Sequence, residues 1–85
     1  IKVIETLDFP STSAGTTQDL TVTVTGAVAG DAVFLGAPNG SVNSTSVYFA
    51  WVSAADTITV RHSTNSLVTA NDPASGDFTV VVYHY

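Results

Sequence analysis

Hydrophobic and polar residues alternate along much of this chain with the two-residue period of a β-strand. Leu20, Val22 and Val24 alternate with threonines, and Ile58 and Val60 alternate with threonine and arginine. This alternation is typical of an antiparallel strand that buries one face and wets the other. Threonine and valine are frequent while leucine and lysine are few, which disfavours helices. The pattern predicts six strands, over residues 2–9, 17–25, 31–36, 47–52, 56–63 and 78–85.

Residues typical of turns separate these predicted strands. They occur at 10–15, at 26–30, at 38–40, at 53–56 and through the longest loop, 65–77. The 53–56 segment is short enough for a β-hairpin. Strands without intervening helices predict an all-β fold, a small antiparallel β-sandwich or jelly-roll-like barrel of about six to eight strands. We expect one domain over residues 1–85, and the start at Ile1 instead of methionine leaves open that it is the C-terminal part of a longer chain.

Three of the predicted strands are apolar on both faces, over residues 31–36, 47–52 and 78–85. In residues 47–52 the odd-numbered and the even-numbered positions are all apolar or aromatic, and the last strand is similar. A lone sandwich wets one face of each sheet, so such a strand packs against another subunit, lies beneath a long loop or exposes a few apolar residues. We predict for the core Phe49, Trp51, Phe78 and Val80. We predict for an oligomer interface Tyr48, Val81, Tyr83 and Tyr85.

The composition favours assembly with copies of the same chain. Charged residues make up 11% of the 85 residues, against roughly 25% in a typical soluble domain, and the mean hydropathy is +0.32. A domain this small buries only about 60% of its unfolded surface and often needs disulfides, a metal or oligomerisation. The sequence has no cysteine, which excludes disulfides and thiolate metal sites and fits the cytosol or a particle assembled there.

The charge balance argues against nucleic acid and membrane partners. Lys2 and Arg61 are the only basic residues beside seven carboxylates, and the net charge is −5. Nucleic acids and anionic membranes attract clustered cations, which this sequence lacks. No apolar run approaches the roughly 20 residues of a membrane helix.

Few residues suggest catalysis or metal binding. The two histidines are His62 and His84, whereas a zinc site needs three or four convergent ligands. His62 is in phase with Ile58 and Val60, so we expect it to be packed at the end of the inward-facing row. There is no Gly-x-Ser-x-Gly elbow and no phosphate-binding glycine loop. We therefore predict that the chain is not an enzyme and carries no cofactor and no metal.

Two polar segments suggest other ligands. Asn71, Asp72 and Asp77 offer oxygen atoms of the kind that calcium binds, but their neighbours are those of ordinary turns, and we favour the turn. Asn39 and Asn43 each begin an Asn-x-Ser/Thr glycosylation sequon, a match that serine- and threonine-rich loops often give by chance.

Four segments resemble, in the same order, a small β-domain of tailed-bacteriophage structural proteins. They are LTVTVTG (20–26), GDAVFLGAP (30–38), AWVSAADTITVR (50–61) and DPASGDFTV (72–80). That group includes head-decoration (cement) proteins and the C-terminal parts of fibres. The likeness spans about residues 7–82, and it departs in the polar loop 39–46 and in the aromatic ending at 83–85. The resemblance implies a virion component, usually trimeric, with no catalytic residues.

The resemblance and the apolar strands together lead us to expect a capsid decoration protein. Such a homotrimer would stabilise the phage head by binding between capsomers, with the major capsid protein or another virion protein as partner. It would lie on the capsid exterior after assembly in the cytoplasm of the bacterial host. The alternative is the trimeric C-terminal domain of a head or tail fibre that binds a host receptor or glycan, with contacts at Trp51, Asn39 and Asn43. A third interpretation is an accessory domain of a larger bacterial enzyme.

Overall fold

The computed structural model describes residues 1–83 of the chain, and these form six antiparallel β-strands. The prediction of a small all-β sandwich is confirmed, and each of the six predicted strands is present, with boundaries that differ by about two residues. The longest connection, between β5 and β6, is the loop that the sequence predicts there. The elements are Lys2–Leu7 (β1), Thr17–Thr23 (β2), Ala32–Gly36 (β3), a short 3₁₀ turn Asn39–Ser41, Ser46–Ala54 (β4), Thr57–Thr64 (β5) and Gly76–Tyr83 (β6).

The strands form two sheets of three strands each. One sheet has the order β1-β6-β3 and the other has the order β2-β5-β4, so β6 and β5 are the central strands. The chain passes from one sheet to the other four times, and only β4 and β5 are neighbours both along the chain and within a sheet. In the first sheet Val3 lies opposite Val80 and Leu35 lies opposite the same residue from the other side.

The central strands supply most of the core. Ile58 and Val60 of β5 and Phe78 and Val80 of β6 have no exposed surface. The predicted core positions of Phe78 and Val80 are therefore confirmed. Phe9 follows β1 and is 1% exposed, and its ring contacts those of Tyr48, His62 and Phe78 with centroids between 5.6 and 5.9 Å apart.

The prediction for β4 is wrong about which of its faces is inside. Phe49 and Trp51 lie on the outer face of the sheet, whereas Tyr48 lies on the inner face and is half-buried. The period of two cannot choose between faces when both are apolar. The pairing with β5 decides, because Phe49 stands opposite Arg61 and Tyr48 stands opposite the buried His62.

The β4–β5 connection is a tight hairpin, as predicted for residues 53–56. Asp56 adopts a positive φ of 60°, which Asp tolerates better than most residues. Its backbone N–H donates to the carbonyl of Ala27, and its carbonyl accepts from the N–H of Val24. Its Oδ1 accepts a hydrogen bond of 2.8 Å from the N–H of Gly26. Asp56 thus ties the hairpin to the corner that follows β2.

Candidate interaction surfaces

The outer face of the β2–β5–β4 sheet carries a pair of exposed aromatic side chains. Phe49 and Trp51 are successive outward residues of β4, with 45% and 36% of their surface exposed. Their ring centroids lie 5.8 Å apart at an interplanar angle of 24°, a stacked arrangement. Val47 extends the same row toward the start of the strand. We call the surface formed by Val47, Phe49, Trp51, Arg61 and Asp19 the aromatic face.

Arg61 connects the aromatic pair to a carboxylate on the next strand. Its Nε donates to Oδ1 of Asp19 at 2.7 Å, and its Nη2 donates to Oδ2 at 2.9 Å. The guanidinium carbon lies 4.8 Å from the ring centroid of Trp51 and 5.6 Å from that of Phe49, which are cation–π distances. The hydrogen bond from Arg61 lowers the pKa of Asp19. Because the two charges cancel, the aromatic face has no net charge.

The outer face of the β1–β6–β3 sheet is also apolar. Ile4, Phe34 and Tyr83, one from each strand, are 58%, 62% and 59% exposed. Val81 lies between them on the central strand, opposite Phe34 in the ladder. Contiguous apolar side chains of this size on a sheet surface are a feature of protein–protein interfaces. We call the surface formed by Ile4, Phe34, Val81 and Tyr83 the apolar face.

A buried histidine lies between the sheets, at one end of the sandwich. His62 has no exposed surface, which confirms its predicted place at the end of the inward row. Ser46 Oγ accepts hydrogen bonds from the N–H of Asn43 and from Nδ2 of Asn71, which occupy both of its lone pairs. Its hydroxyl therefore donates to Nε2 of His62, at 3.1 Å. A neutral ring that accepts at Nε2 is protonated at Nδ1, and this nitrogen donates to Oγ1 of Thr12 at 2.8 Å.

Asn71 holds the long β5–β6 loop against this histidine. Its backbone exchanges two hydrogen bonds with Thr12, at 2.7 and 2.9 Å. Its side-chain Oδ1 accepts from Nδ2 of Asn43 at 2.6 Å, and its Nδ2 donates to Oγ1 of Thr45 at 2.8 Å. Within residues 1–83, every buried side-chain nitrogen or oxygen has a hydrogen-bond partner. The His62 network therefore stabilises the fold and has no nitrogen free for a ligand.

The environment of His62 also sets its charge. Burial lowers the pKa of His62, because the interior disfavours the protonated ring. The titratable group that packs against its ring is Tyr48, with centroids 4.9 Å apart. Burial raises the pKa of Tyr48, whose hydroxyl donates to the carbonyl of Ser41 at 2.6 Å. His62 is thus neutral at pH 7.

The structure does not bring the three proposed glycan contacts together. Trp51 lies in the aromatic face, whereas Asn43 lies beyond Ser46 at the other end of β4 and binds Asn71. Ser46 and Trp51 are five positions apart, which corresponds to about 17 Å of extended strand. Asn39 is the exposed first residue of the 3₁₀ turn, whose last residue, Ser41, is buried. Of the predicted interface residues, Val81 and Tyr83 share the apolar face, Tyr48 lies inside, and Tyr85 lies outside the described residues.

The remaining candidates for chemistry do not form a site. In the described part of the chain no three residues of the types His, Cys, Asp and Glu are grouped to hold a metal ion. Asn71 is occupied by its own hydrogen bonds, and Asp77 accepts one of 2.6 Å from Thr6. His84 lies outside the described residues. Residues 1–83 enclose no pocket, and they include no helix with the length and apolar character needed to cross a membrane.

Sequence reasoning missed two features of these surfaces. The Arg61–Asp19 pair joins residues 42 positions apart, and only the pairing of β2 with β5 reveals it. Phe34 was placed in a strand but not on a surface, because its neighbours in β3 are apolar on both sides. The presence of Arg61 on β5 was a usable signal, since a charged residue marks the outer face of the central strand and thereby of its neighbours.

Comparisons with known proteins add no relative. No protein-family model matches this chain, and no curated protein and no solved structure was found to match it. Its function is therefore inferred from its own surfaces.

Proposed function

We propose that this chain is a structural protein that assembles with copies of itself, and that it serves as a capsid decoration protein of a tailed bacteriophage. The apolar face is the observation that carries this proposal. A sandwich usually presents polar side chains there, whereas Ile4, Phe34 and Tyr83 each keep close to 60% of their surface exposed. The resemblance of four segments to phage structural domains supports the virion context.

Burial of the apolar face supplies a favourable free energy of association. A side chain of this size contributes about 2 kcal/mol when it is fully buried. Because roughly 60% of each of Ile4, Phe34 and Tyr83 is still exposed, their burial is worth about 3–4 kcal/mol per protomer. Two charged residues lie on the same side of this sheet, Lys2 opposite Val81 and Asp77 opposite Thr6, and their charges have opposite sign.

A three-fold arrangement fits the position of Val81. Val81 is on the central strand of its sheet, with Phe34 opposite it on β3 and Lys2 opposite it on β1, and Ile4 is the next outward residue of β1. Three copies that turn this face toward a common axis would bring Val81 and Tyr83 together at the centre. The aromatic face of each copy would then remain available for the capsid. In the proposed role, the trimer binds between capsomers on the outside of the head.

The assembly part is tested by sedimentation velocity at micromolar concentration. A wild-type protein that associates through the apolar face is expected at three times the 8.8 kDa of one chain, or at a multiple of that mass. Val81→Asp places a charge in the apolar face and is expected to break the three-fold contact, which lowers the mass threefold. Thr21→Asp, on the exposed outer side of β2, is the matched control and should leave the mass unchanged. A monomeric wild-type protein would contradict the proposal.

The virion part is tested by the genes that flank the coding sequence. A short reading frame beside a major capsid gene is the expected result for a decoration protein. A reading frame that extends upstream into a long fibre gene would instead indicate the fibre alternative, and an upstream enzyme domain would contradict both.

The exposed Trp51 favours one second candidate, a fibre domain that binds a receptor glycan. An indole with an adjacent phenyl ring offers a flat apolar surface on which a sugar ring can stack, and the Arg61–Asp19 pair offers hydrogen bonds beside it. Binding on a glycan array that is lost in Trp51→Ala and kept in Phe34→Ala would support this candidate. Absence of binding by the assembled wild-type protein would count against it.

A further inference from the structure

The four edge strands of the two sheets differ in how well they are protected. An edge strand presents unpaired N–H and C=O groups to any chain that can pair with it, and proteins protect edges with charges or by keeping them short. Lys2 and Glu5 lie on β1, Asp19 lies on β2, and β3 has only five residues. β4 has nine residues, SVYFAWVSA, with no charge and no proline. Its pairing with β5 has one irregularity, a register shift between Val52 and Ala54, so positions 46–52 form the longest regular uncharged edge in the described part of the molecule.

The free side of β4 carries no hydrogen-bonded strand within residues 1–83. β4 pairs with β5 on its other side. β3 of the opposite sheet lies near β4 but forms no ladder with it. Among residues 1–83, no loop makes a backbone hydrogen bond to positions 47–54, so the β5 ladder provides the only ones there. Alternate residues of β4 therefore direct their backbone groups away from the protein.

We infer that a second copy of this chain pairs with β4 through its own β4, antiparallel, about a two-fold axis at Ala50. This contact goes beyond the proposed function, because it uses a different surface from the apolar face and stands without a trimer. An antiparallel pair of identical strands is self-complementary, as a two-fold interface requires. The two sheets would join into one continuous sheet of six strands, in the order β2-β5-β4-β4-β5-β2.

The side chains select Ala50 as the centre. Outer residues of β4 must pair with outer residues of the second copy. The two-fold axis must therefore pass at a residue of β4 and not between two residues, because an axis between residues would pair outer with inner side chains. With Ala50 at the axis, Phe49 lies opposite Trp51 of the second copy, and Trp51 lies opposite its Phe49. Aromatic pairs across two strands are among the more stabilising ones. On the inner face Tyr48 then lies opposite Val52 of the second copy, so both faces match in polarity.

The charges near this axis permit the contact. Arg61 lies beside the aromatic pair, one strand in from the edge, so an unpaired guanidinium would add a positive charge on each side of the axis. Asp19 already binds it through two hydrogen bonds of 2.7 and 2.9 Å, so the pair is neutral before association. The joined aromatic faces would present two cross-strand pairs of aromatic side chains, flanked by an Arg61–Asp19 pair on each side.

A single cysteine tests the register, since the natural chain has none. Directly opposite residues of an antiparallel pair have Cβ atoms about 5 Å apart, within reach of a disulfide after small adjustment. A50C is expected to form covalent dimers under mild oxidation at micromolar concentration. T21C, on the β2 edge of the same sheet, is the matched control and should oxidise at least about tenfold more slowly. Equal oxidation rates of the two variants would overturn the inference.

Two double variants test the pairing of position 49 with position 51. F49E/W51E places like charges opposite each other across the axis and should weaken this contact about tenfold or more in sedimentation velocity. F49K/W51E removes the same rings but places opposite charges there, and should retain the contact. Circular dichroism confirms that both variants are folded. Equal behaviour of the two variants, or a wild-type mass for F49E/W51E, would overturn the pairing.

The masses separate this inference from the proposed trimer. If both contacts form, the assembly contains an even number of copies. F49E/W51E should then halve the mass of the assembly, and Val81→Asp should reduce the assembly to dimers. If only Val81→Asp changes the mass, the trimer stands and the β4 contact is overturned. If only F49E/W51E changes it, the β4 contact stands and the three-fold contact is overturned. A wild-type monomer overturns both.

Discussion

Acidification below pH 6.5 favours protonation of one buried atom of this protein, Nε2 of His62. At neutral pH this nitrogen accepts the hydroxyl proton of Ser46 inside a buried network. Protonation would place two donors face to face, and the Ser46 lone pairs are already occupied by Asn43 and Asn71. Among residues 1–83, the partners of the ring nitrogens are the hydroxyls of Thr12 and Ser46, so a positive charge on the ring would have no carboxylate partner there. Burial accordingly lowers the pKa of His62 from its ordinary value of 6.5.

The direction of the effect follows from proton linkage. Below pH 6.5 the unfolded chain binds a proton at His62 and the folded protein does not. The free energy of unfolding therefore falls as the pH drops from 6.5 toward the lowered pKa of the folded state. One proton corresponds to a loss of up to about 1.4 kcal/mol for each pH unit in this window. Above pH 6.5 the contribution is complete and independent of pH.

Urea unfolding followed by circular dichroism measures this loss between pH 7.5 and pH 5, at one fixed protein concentration. An H84Q background leaves His62 as the single histidine, and its ring resonances report its pKa directly. H62Q in the same background keeps a donor and an acceptor but cannot be protonated, so it should be less stable at pH 7.5 and have a flatter pH profile. Parallel profiles for the two proteins, or a His62 pKa of 6.5 or above, would refute the reasoning.

Three further substitutions test the fold by urea unfolding. Phe9→Ala removes a ring that is 1% exposed and should cost about 3–5 kcal/mol; a loss below 1 kcal/mol would contradict its place in the core. Asp56→Ala removes the hydrogen bond from Gly26 and places a residue that tolerates φ 60° less well at this position. We expect it to lower the free energy of unfolding by about 2 kcal/mol, whereas Asp56→Asn should change that free energy by no more than about 0.5 kcal/mol. Asp19→Asn weakens the exposed ion pair with Arg61 and should lower the free energy of unfolding by less than about 1 kcal/mol. A larger loss would show that this pair stabilises the fold more than exposed ion pairs usually do.

The strands were predictable because their signal is local. Alternation at Leu20, Val22 and Val24 or at Ile58 and Val60 identifies both the element and its buried face, since the other face is polar. In β4 both faces are apolar, so alternation identified the strand but not the side that faces the core. Only its register with β5 settles that side.

The His62 network was beyond prediction from the sequence for a different reason. Its burial followed from its phase with Val60, but its partners did not. Thr12 is 50 positions from His62 and Asn71 is 25 positions from Ser46. Threonine, serine and asparagine in loops are ordinary turn residues, and nothing local marks those that are buried. The apolar face was indicated in part, through Val81 and Tyr83, while Phe34 joins them only through the β3–β6 pairing.

The pairing of β1 with β6 has a consequence for how the chain folds. Lys2 lies opposite Val81, 79 positions away, so this sheet closes only after nearly the whole chain is available. The β4–β5 hairpin closes over a two-residue connection and forms on a microsecond scale. Folds dominated by distant pairings take milliseconds to seconds. During that interval the uncharged β4 edge is formed while Phe78 and Val80 are still unpacked. Refolding at high protein concentration should therefore lose material to aggregation through β4, and dilution should restore the yield.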